Sequence, residues 1–186
     1  MKRILFFTLG LALFSCSEPT AETSFFSKEI KDLDKTYHTV DSNYQIFKLA
    51  NIDTLVSIRE SASKRYDSIR KIYESDFIDT TFEKIMLITR GQLVKKLRVV
   101  NKNSSSIEKE YTYSTEQYKA LRENLIHEKL EKDESLIFYS EEKNALILLN
   151  AEIVNFNESI NNTISLSETL FPQLDSIIEV HATKSE

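Results

Sequence analysis

The chain has 186 residues with 24 basic and 29 acidic side chains, and its formal charge is −5. This mildly acidic balance excludes the broad basic surface of a nucleic-acid-binding protein, so the sequence predicts no nucleic-acid partner. Two glycines and two prolines are too few for the turns of a β-sandwich or the phosphate loops of an α/β fold, which leaves long helices joined by few loops.

The first predicted element is an N-terminal signal segment. Basic residues at positions 2 and 3 precede an apolar run over residues 4–14, which is too short to span a bilayer as a helix. Ser15 supplies a small side chain before Cys16, the only cysteine of the chain. Residues 13–16, Leu-Phe-Ser-Cys, resemble the lipobox of bacterial lipoproteins, whereas no motif after Cys16 identifies a family.

The resemblance implies a cleaved signal peptide over residues 1–15 and a diacylated thiol at Cys16, often with a third chain such as palmitate on the new amino terminus. Two or three acyl chains form a firm anchor, since each buried methylene contributes about 0.8 kcal/mol. An ordinary secretory signal peptide and a free thiol are the alternatives. Ser17 stands where enterobacterial lipoproteins retained at the inner membrane tend to carry an aspartate, which by that sorting rule indicates the outer membrane. Residues 17–22 only weakly match the acidic surface-export signal of Bacteroidota lipoproteins, so we expect a periplasmic orientation and leave surface exposure open.

From Cys16 onward, residues 16–24 are small and polar, which predicts a tether. Residues 25–186 are predicted to form one helical domain. An apolar seam with 3-4 spacing opens this domain and is typical of coiled-coil packing. It comprises Ile30, Leu33, Tyr37, Val40, Tyr44 and Phe47. The stripe then steps irregularly near Asn51. Either one helix continues with a stutter, or residues 51–53 turn and Asp53 caps a second helix.

The next helix is expected from a break at residues 75–81, where Thr80 and Glu83 fit a capping box, to residue 100. Gly91 within it predicts a close helix crossing. Four basic residues near its end are stabilised by the partial negative charge of a helix C-terminus, which explains them better than an anion-binding site does. They are Lys95, Lys96, Arg98 and Lys102. Residues 101–106 contain three serines and predict a loop.

A further helix is expected after Ser114, and the most apolar stretch, residues 145–156, predicts the most buried helix. Residues 165–169 are expected to loosen the path, and Pro172 predicts a kink or a first turn. The sequence as a whole predicts an all-α fold, an antiparallel bundle of about five to six long helices with coiled-coil-like packing.

Signatures of catalysis are missing from the sequence: there is no glycine-rich phosphate loop, nucleophile elbow, HExxH motif or Glu-x-x-His pair. Glu123, His127 and Glu131 have the spacing of a divalent-metal trio on one helix. Such pairs are common on charged helix surfaces, so we assign no catalytic residue, metal or cofactor.

Four hydroxyl residues follow an aspartate in Asp-Ser/Thr-x triplets, a pattern similar to the O-glycosylation acceptor of exported Bacteroidota proteins. They are Thr54, Ser68, Thr80 and Ser176. Helix capping is the alternative, because aspartate, serine and threonine are also the preferred cap residues.

These observations predict a lipid-anchored, non-enzymatic envelope protein that acts as a helical binding module. Its expected partners are the membrane, through Cys16, and either another envelope protein or a second copy of the chain, for which the seam over residues 30–47 is the motive. The alternative is a carrier that holds a small apolar ligand or lipid between its helices, and an enzyme ranks last.

Overall fold

A computed structural model describes residues 19–72 and 80–182 of the chain. Those residues are almost entirely helical and include no strand, which confirms the all-α fold. The elements are α1 (Ser27–Lys48), α2 (Ile52–Ile72), α3 (Thr80–Ile88), a π-helical segment (Thr89–Lys95), a short 3-10 segment (Lys96–Val99), α4 (Val100–Ile126) and α5 (Lys132–Ala182). The expected signal peptide, Cys16 and most of the break predicted at residues 75–81 lie outside the described ranges.

The helices join into three long rods, fewer long helices than the sequence predicted. The first rod is α1 followed by α2, and the second runs from α3 without a loop into α4. The third is α5 alone, whose 51 residues extend about 75 Å at 1.5 Å per residue. Helix α5 packs against α1, α2 and α4, and it is therefore the axis of the bundle.

Side-chain pairs along the rods fix their directions. Asn43 Nδ2 donates to Asn150 Oδ1 at 2.8 Å, and Arg65 Nε donates to Asp175 Oδ1 at 2.7 Å, so the first rod runs parallel to α5. The second rod runs antiparallel to both, because the tight connection after Ile126 reverses the chain from α4 into α5.

Two clusters of buried side chains hold the rods together along their length. The first lies between α1, α4 and the first half of α5, and the second lies between α2, the π and 3-10 segments, and the second half of α5. Phe156 packs against both clusters and links them. The predicted seam supplies Ile30, Leu33, Val40 and Phe47 to the first cluster. Because α4 and α5 cover this seam, it does not provide the outward apolar face that motivated self-association.

The irregular step in the seam is a true break between two helices. Helix α1 ends at Lys48 and α2 begins at Ile52. The cap is Asn51, whose Oδ1 accepts a hydrogen bond from the Thr54 backbone N–H at 3.1 Å, and it is not the expected Asp53.

The loop predicted over residues 101–106 is wrong, because this stretch lies inside α4. Ser104 and, further along, Ser114 are almost fully buried there. Ser114 is therefore an interior helix residue and does not begin a helix. Small side chains on the covered face of α4 let the neighbouring rods approach, and this tertiary packing overrides the weak helix propensity of serine and asparagine.

The breaks predicted near the C-terminus are also absent, since α5 continues through residues 165–169 and through Pro172. The hydroxyls of Ser167 and Thr169 donate to the carbonyls of Ile164 and Ser165, within the helix. A hydroxyl that donates to a carbonyl of the preceding turn has its hydrogen bond within the helix, so the helix does not have to end there. Pro172 is exposed on the outer face of the rod, away from the buried contacts.

The close crossing predicted at Gly91 is wrong as well. Gly91 lies in the π-helical segment, where the Lys96 backbone N–H bonds to its carbonyl. A Cβ built on Gly91 would meet no atom of the described residues within 4 Å. A side chain at this position would therefore have room, and among the described residues no helix packs closely against Gly91.

Candidate functional site

The predicted lipidation site, Cys16, lies outside the described residues and stays a prediction. Within residues 19–72 and 80–182, the helices do not combine the length and hydropathy that a membrane crossing requires.

The predicted glycosylation sites lie on helices. Thr54, Ser68 and Ser176 are exposed, and Thr80 is the first residue of α3. Capping does not account for the Asp-Ser pairs at residues 67–68 and 175–176, since both lie inside helices. The structure presents three of these hydroxyls to solvent, and their modification stays a prediction.

The carboxylate–imidazole trio does not assemble. His127 Nε2 lies 3.3 Å from Glu123 Oε2, but α4 ends at Ile126 and Glu128 adopts a left-handed φ of 49°. The chain therefore turns away before Glu131. Across the described part of the chain, no group of three histidine, cysteine or acidic side chains could hold a metal ion.

A polar interface joins α1 to α4. Tyr118 Oη donates to Asp34 Oδ1 at 2.7 Å, and Arg122 Nε donates to the same oxygen at 2.9 Å. Two turns further along α1, Tyr111 Oη donates to Asp41. Burial, followed by these hydrogen bonds to the carboxylates, raises the pKa of both tyrosines. The tyrosines stay protonated near neutral pH, and they act as donors that fix the register of the two helices.

The matching interface between α1 and α5 centres on Asp32, which accepts a hydrogen bond from Tyr139 Oη and pairs with Lys143 Nζ. The hydrogen bond from Lys143, then that from Tyr139, lowers the pKa of Asp32, and the bond from Tyr111 lowers that of Asp41. These carboxylates are ionised and already paired. The two polar interfaces are therefore structural, and they offer no free general base.

The carboxylate of Glu142, on α5, is placed differently. Glu142 Oε1 is buried and has no hydrogen-bond partner among the described residues. Burial, and secondarily the charge of Glu110 on α4, raises the pKa of Glu142. Its ionised form is therefore disfavoured in the folded chain.

The most distinctive concave surface lies where α1 breaks into α2 and faces α5. We call it the junction groove, and its volume is about 390 Å³. Its lining is Ile46, Leu49, Ala50, Asn51, Thr54, Asn157, Ile160, Asn161 and Ile164. Ile46 is 57% exposed and Leu49 is 84% exposed, and together they place apolar surface at the edge of the groove.

No residue of that lining is charged, although 28% of the chain is Asp, Glu, Lys or Arg. The groove combines aliphatic side chains with asparagine and threonine groups that can donate and accept hydrogen bonds. Sequence reasoning missed it because Ile46 and Leu49 fall outside the seam and were not used. The available signal was two off-seam aliphatic residues directly before the Asn51 cap.

A second, more enclosed space lies beside the 3-10 segment and has a volume of about 110 Å³. Leu55, Leu97, Val100, Phe156 and Ile160 form its apolar wall. It is smaller than the roughly 300–1,000 Å³ of typical small-molecule sites.

The junction groove is thus an uncharged, partly apolar cleft. It lies on a rod whose register against its neighbours is set by paired tyrosines and carboxylates. Comparison with protein-family models, with curated proteins and with solved structures found no match to this chain.

Proposed function

We propose that this chain is a lipid-anchored protein of the bacterial envelope, held by acylated Cys16, whose junction groove binds an uncharged, partly apolar segment of a second envelope protein. The role is non-enzymatic. The expected location is the outer membrane, with the rods in the periplasm.

The observation that carries this proposal is the exposure of Ile46 and Leu49 beside an uncharged cleft. An apolar helix or extended segment laid in such a cleft removes aliphatic surface from water, and nearby amides can pair with its backbone. A few well-packed anchor residues carry most of the binding energy in protein interfaces, and Ile46 and Leu49 are the candidates here.

The test uses the lipidated chain in its native membranes with a photoreactive residue at position 49. The matched control carries it at position 148, because Leu148 is also strongly exposed, at 71%, but lies outside the groove. We expect one discrete adduct from position 49 and none from position 148. Ile46→Asp should weaken that adduct about tenfold or more, the loss expected for an interface anchor.

Adducts of equal strength from both positions, or an adduct insensitive to Ile46→Asp, would contradict the groove as the binding surface. Circular dichroism of each variant establishes that the helices are intact. Cys16→Ser tests the anchor. Because the unacylated chain would no longer be held at the membrane, the adduct should disappear from the membrane fraction.

The carrier function ranks second because the enclosed space of about 110 Å³ is too small for an acyl chain unless the helices separate. Native mass spectrometry of the purified chain distinguishes the two functions. A co-purified lipid mass on the fully folded protein, beyond the acyl groups of Cys16, would favour the carrier.

A further inference from the structure

The end of the bundle nearest the anchor is built from the start of the chain and the turn between α4 and α5. Residues 20–24, assigned to the tether from sequence, form turns, and Ser24 is buried. Ser24 Oγ donates to the Leu125 carbonyl at 2.7 Å, and the Phe25 backbone N–H donates to Glu128 Oε1 at 2.7 Å. The start of the chain is therefore fastened to this end of the rods.

The distance from this end to the expected anchor is short. Only three peptide steps separate Cys16 from Pro19, the first described residue. A fully extended chain covers at most about 3.6 Å per residue, so these steps span no more than about 11 Å. Acylation of Cys16, on which this inference rests, would hold this end of the bundle against the membrane surface.

Large apolar side chains are exposed at the same end. Phe25 is 62% exposed, and Ile137 and Phe138, in the first two turns of α5, are 58% and 41% exposed. Lys132 Nζ lies 4.5 Å from the centre of the Phe25 ring. Exposed aromatic rings beside a lysine suit the boundary between headgroups and acyl chains, into which an apolar face sinks about 5–10 Å.

The charge of this end selects the kind of lipid. Acidic side chains outnumber basic ones around the turn that opens α5: Glu128, Glu131, Asp133 and Glu134 against Lys129 and Lys132. Attraction to anionic lipid therefore does not drive contact, and apolar insertion into a zwitterionic surface does.

We propose that this end, formed by Phe25, Ile137 and Phe138, seats in the headgroup region of a zwitterionic membrane, so that the rods project from the bilayer. Acylation supplies the affinity, and the apolar end supplies the orientation.

Because the chain has no tryptophan, a single introduced tryptophan reports its own surroundings. The lipidated full-length protein is placed in phosphatidylethanolamine–phosphatidylcholine vesicles as Phe25→Trp or Phe138→Trp. The matched control is Leu87→Trp, at a residue that is 63% exposed but lies about 60 Å along the second rod from Ile126. Mass spectrometry of the N-terminal peptide measures acylation separately.

We expect emission from positions 25 and 138 to shift to shorter wavelength on vesicle binding and to be quenched by lipids brominated along the acyl chains. Position 87 should show neither effect, and anionic lipid should not strengthen quenching. Equal quenching at position 87 would mean that the rod lies flat, and no quenching at positions 25 and 138 would mean that the end stays in water. Either result overturns the inference while leaving the anchor intact, whereas an unacylated Cys16 refutes the anchor and the inference together.

Discussion

Replacement of Gly91 by alanine tests the packing of the second rod directly. The residue lies in the π-helical segment, its φ is not positive, and a Cβ would meet no atom of the described residues within 4 Å. Alanine therefore gains helix propensity and restricts the unfolded chain without a clash.

We expect Gly91→Ala to raise the free energy of unfolding by about 0.5–1 kcal/mol. For a chain of this size, 1 kcal/mol corresponds to a rise in Tm of about 2–4 °C. The assay is thermal and denaturant unfolding, followed by circular dichroism, of the chain from Ser17 onward. The control is Gln92→Ala at the exposed neighbouring position, where glutamine and alanine differ by only a few tenths of a kcal/mol.

A loss of about 1 kcal/mol or more in Gly91→Ala, with Gln92→Ala unchanged, would refute the reasoning. It would mean that another part of the chain approaches Gly91 closely, as the sequence alone suggested. A loss in both variants would instead indicate that the π geometry itself does not tolerate a change.

Two other predictions concern α5. Leu146→Ala should cost about 2–5 kcal/mol in unfolding experiments because Leu146 is fully buried, whereas Leu148→Ala should change stability by less than about 0.5 kcal/mol because it is 71% exposed; similar losses in both would contradict the placement of this apolar stretch. Glu142→Gln should raise stability at pH 7 by about 1 kcal/mol, because the buried, unpartnered carboxylate oxygen makes the ionised form of Glu142 unfavourable in the native chain and glutamine carries no charge. The raised pKa means that the favourable protonated form is fully present below the usual value of 4.5 and is lost as pH rises through the higher native pKa. The advantage of the variant should therefore shrink when unfolding is measured at decreasing pH, and an advantage that is constant with pH would be evidence against this cause.

Periodicity in the sequence was sufficient to predict the buried side of α1. Ile30, Leu33, Val40 and Phe47 recur at helical spacing, and each is buried against α4 or α5. The prediction succeeds because residues at 3-4 spacing lie on one face of a helix, and an apolar face is buried against neighbouring helices. The count of long helices was less accessible, because it depends on whether polar stretches end a helix.

The serine-rich stretch over residues 101–106 shows why the number of long helices is hard to predict from sequence. The residues at 101–106 have loop composition, but Ser104 faces the core and the backbone stays helical. A small hydroxyl can cap a helix, or it can fill a tight contact between rods, and only the neighbouring rod decides which. The junction groove depends on the same information, since the exposure of Leu49 follows from how α1, α2 and α5 meet and not from local spacing.

The distance of the junction groove from the Phe25 end of the bundle restricts the geometry of a partner. The groove residues Asn157 and Ile164 lie 25 and 32 positions beyond the start of α5, which corresponds to about 40–50 Å along the rod. If the Phe25 end rests on the bilayer and the rod stands upright, the groove is held at that height. A membrane protein that reached it with an extended segment would need about 12 to 15 residues beyond its own membrane boundary. In that arrangement a partner whose uncharged segment lies at the bilayer surface would be excluded by distance, and the length of the rod would select partners that project into the envelope space.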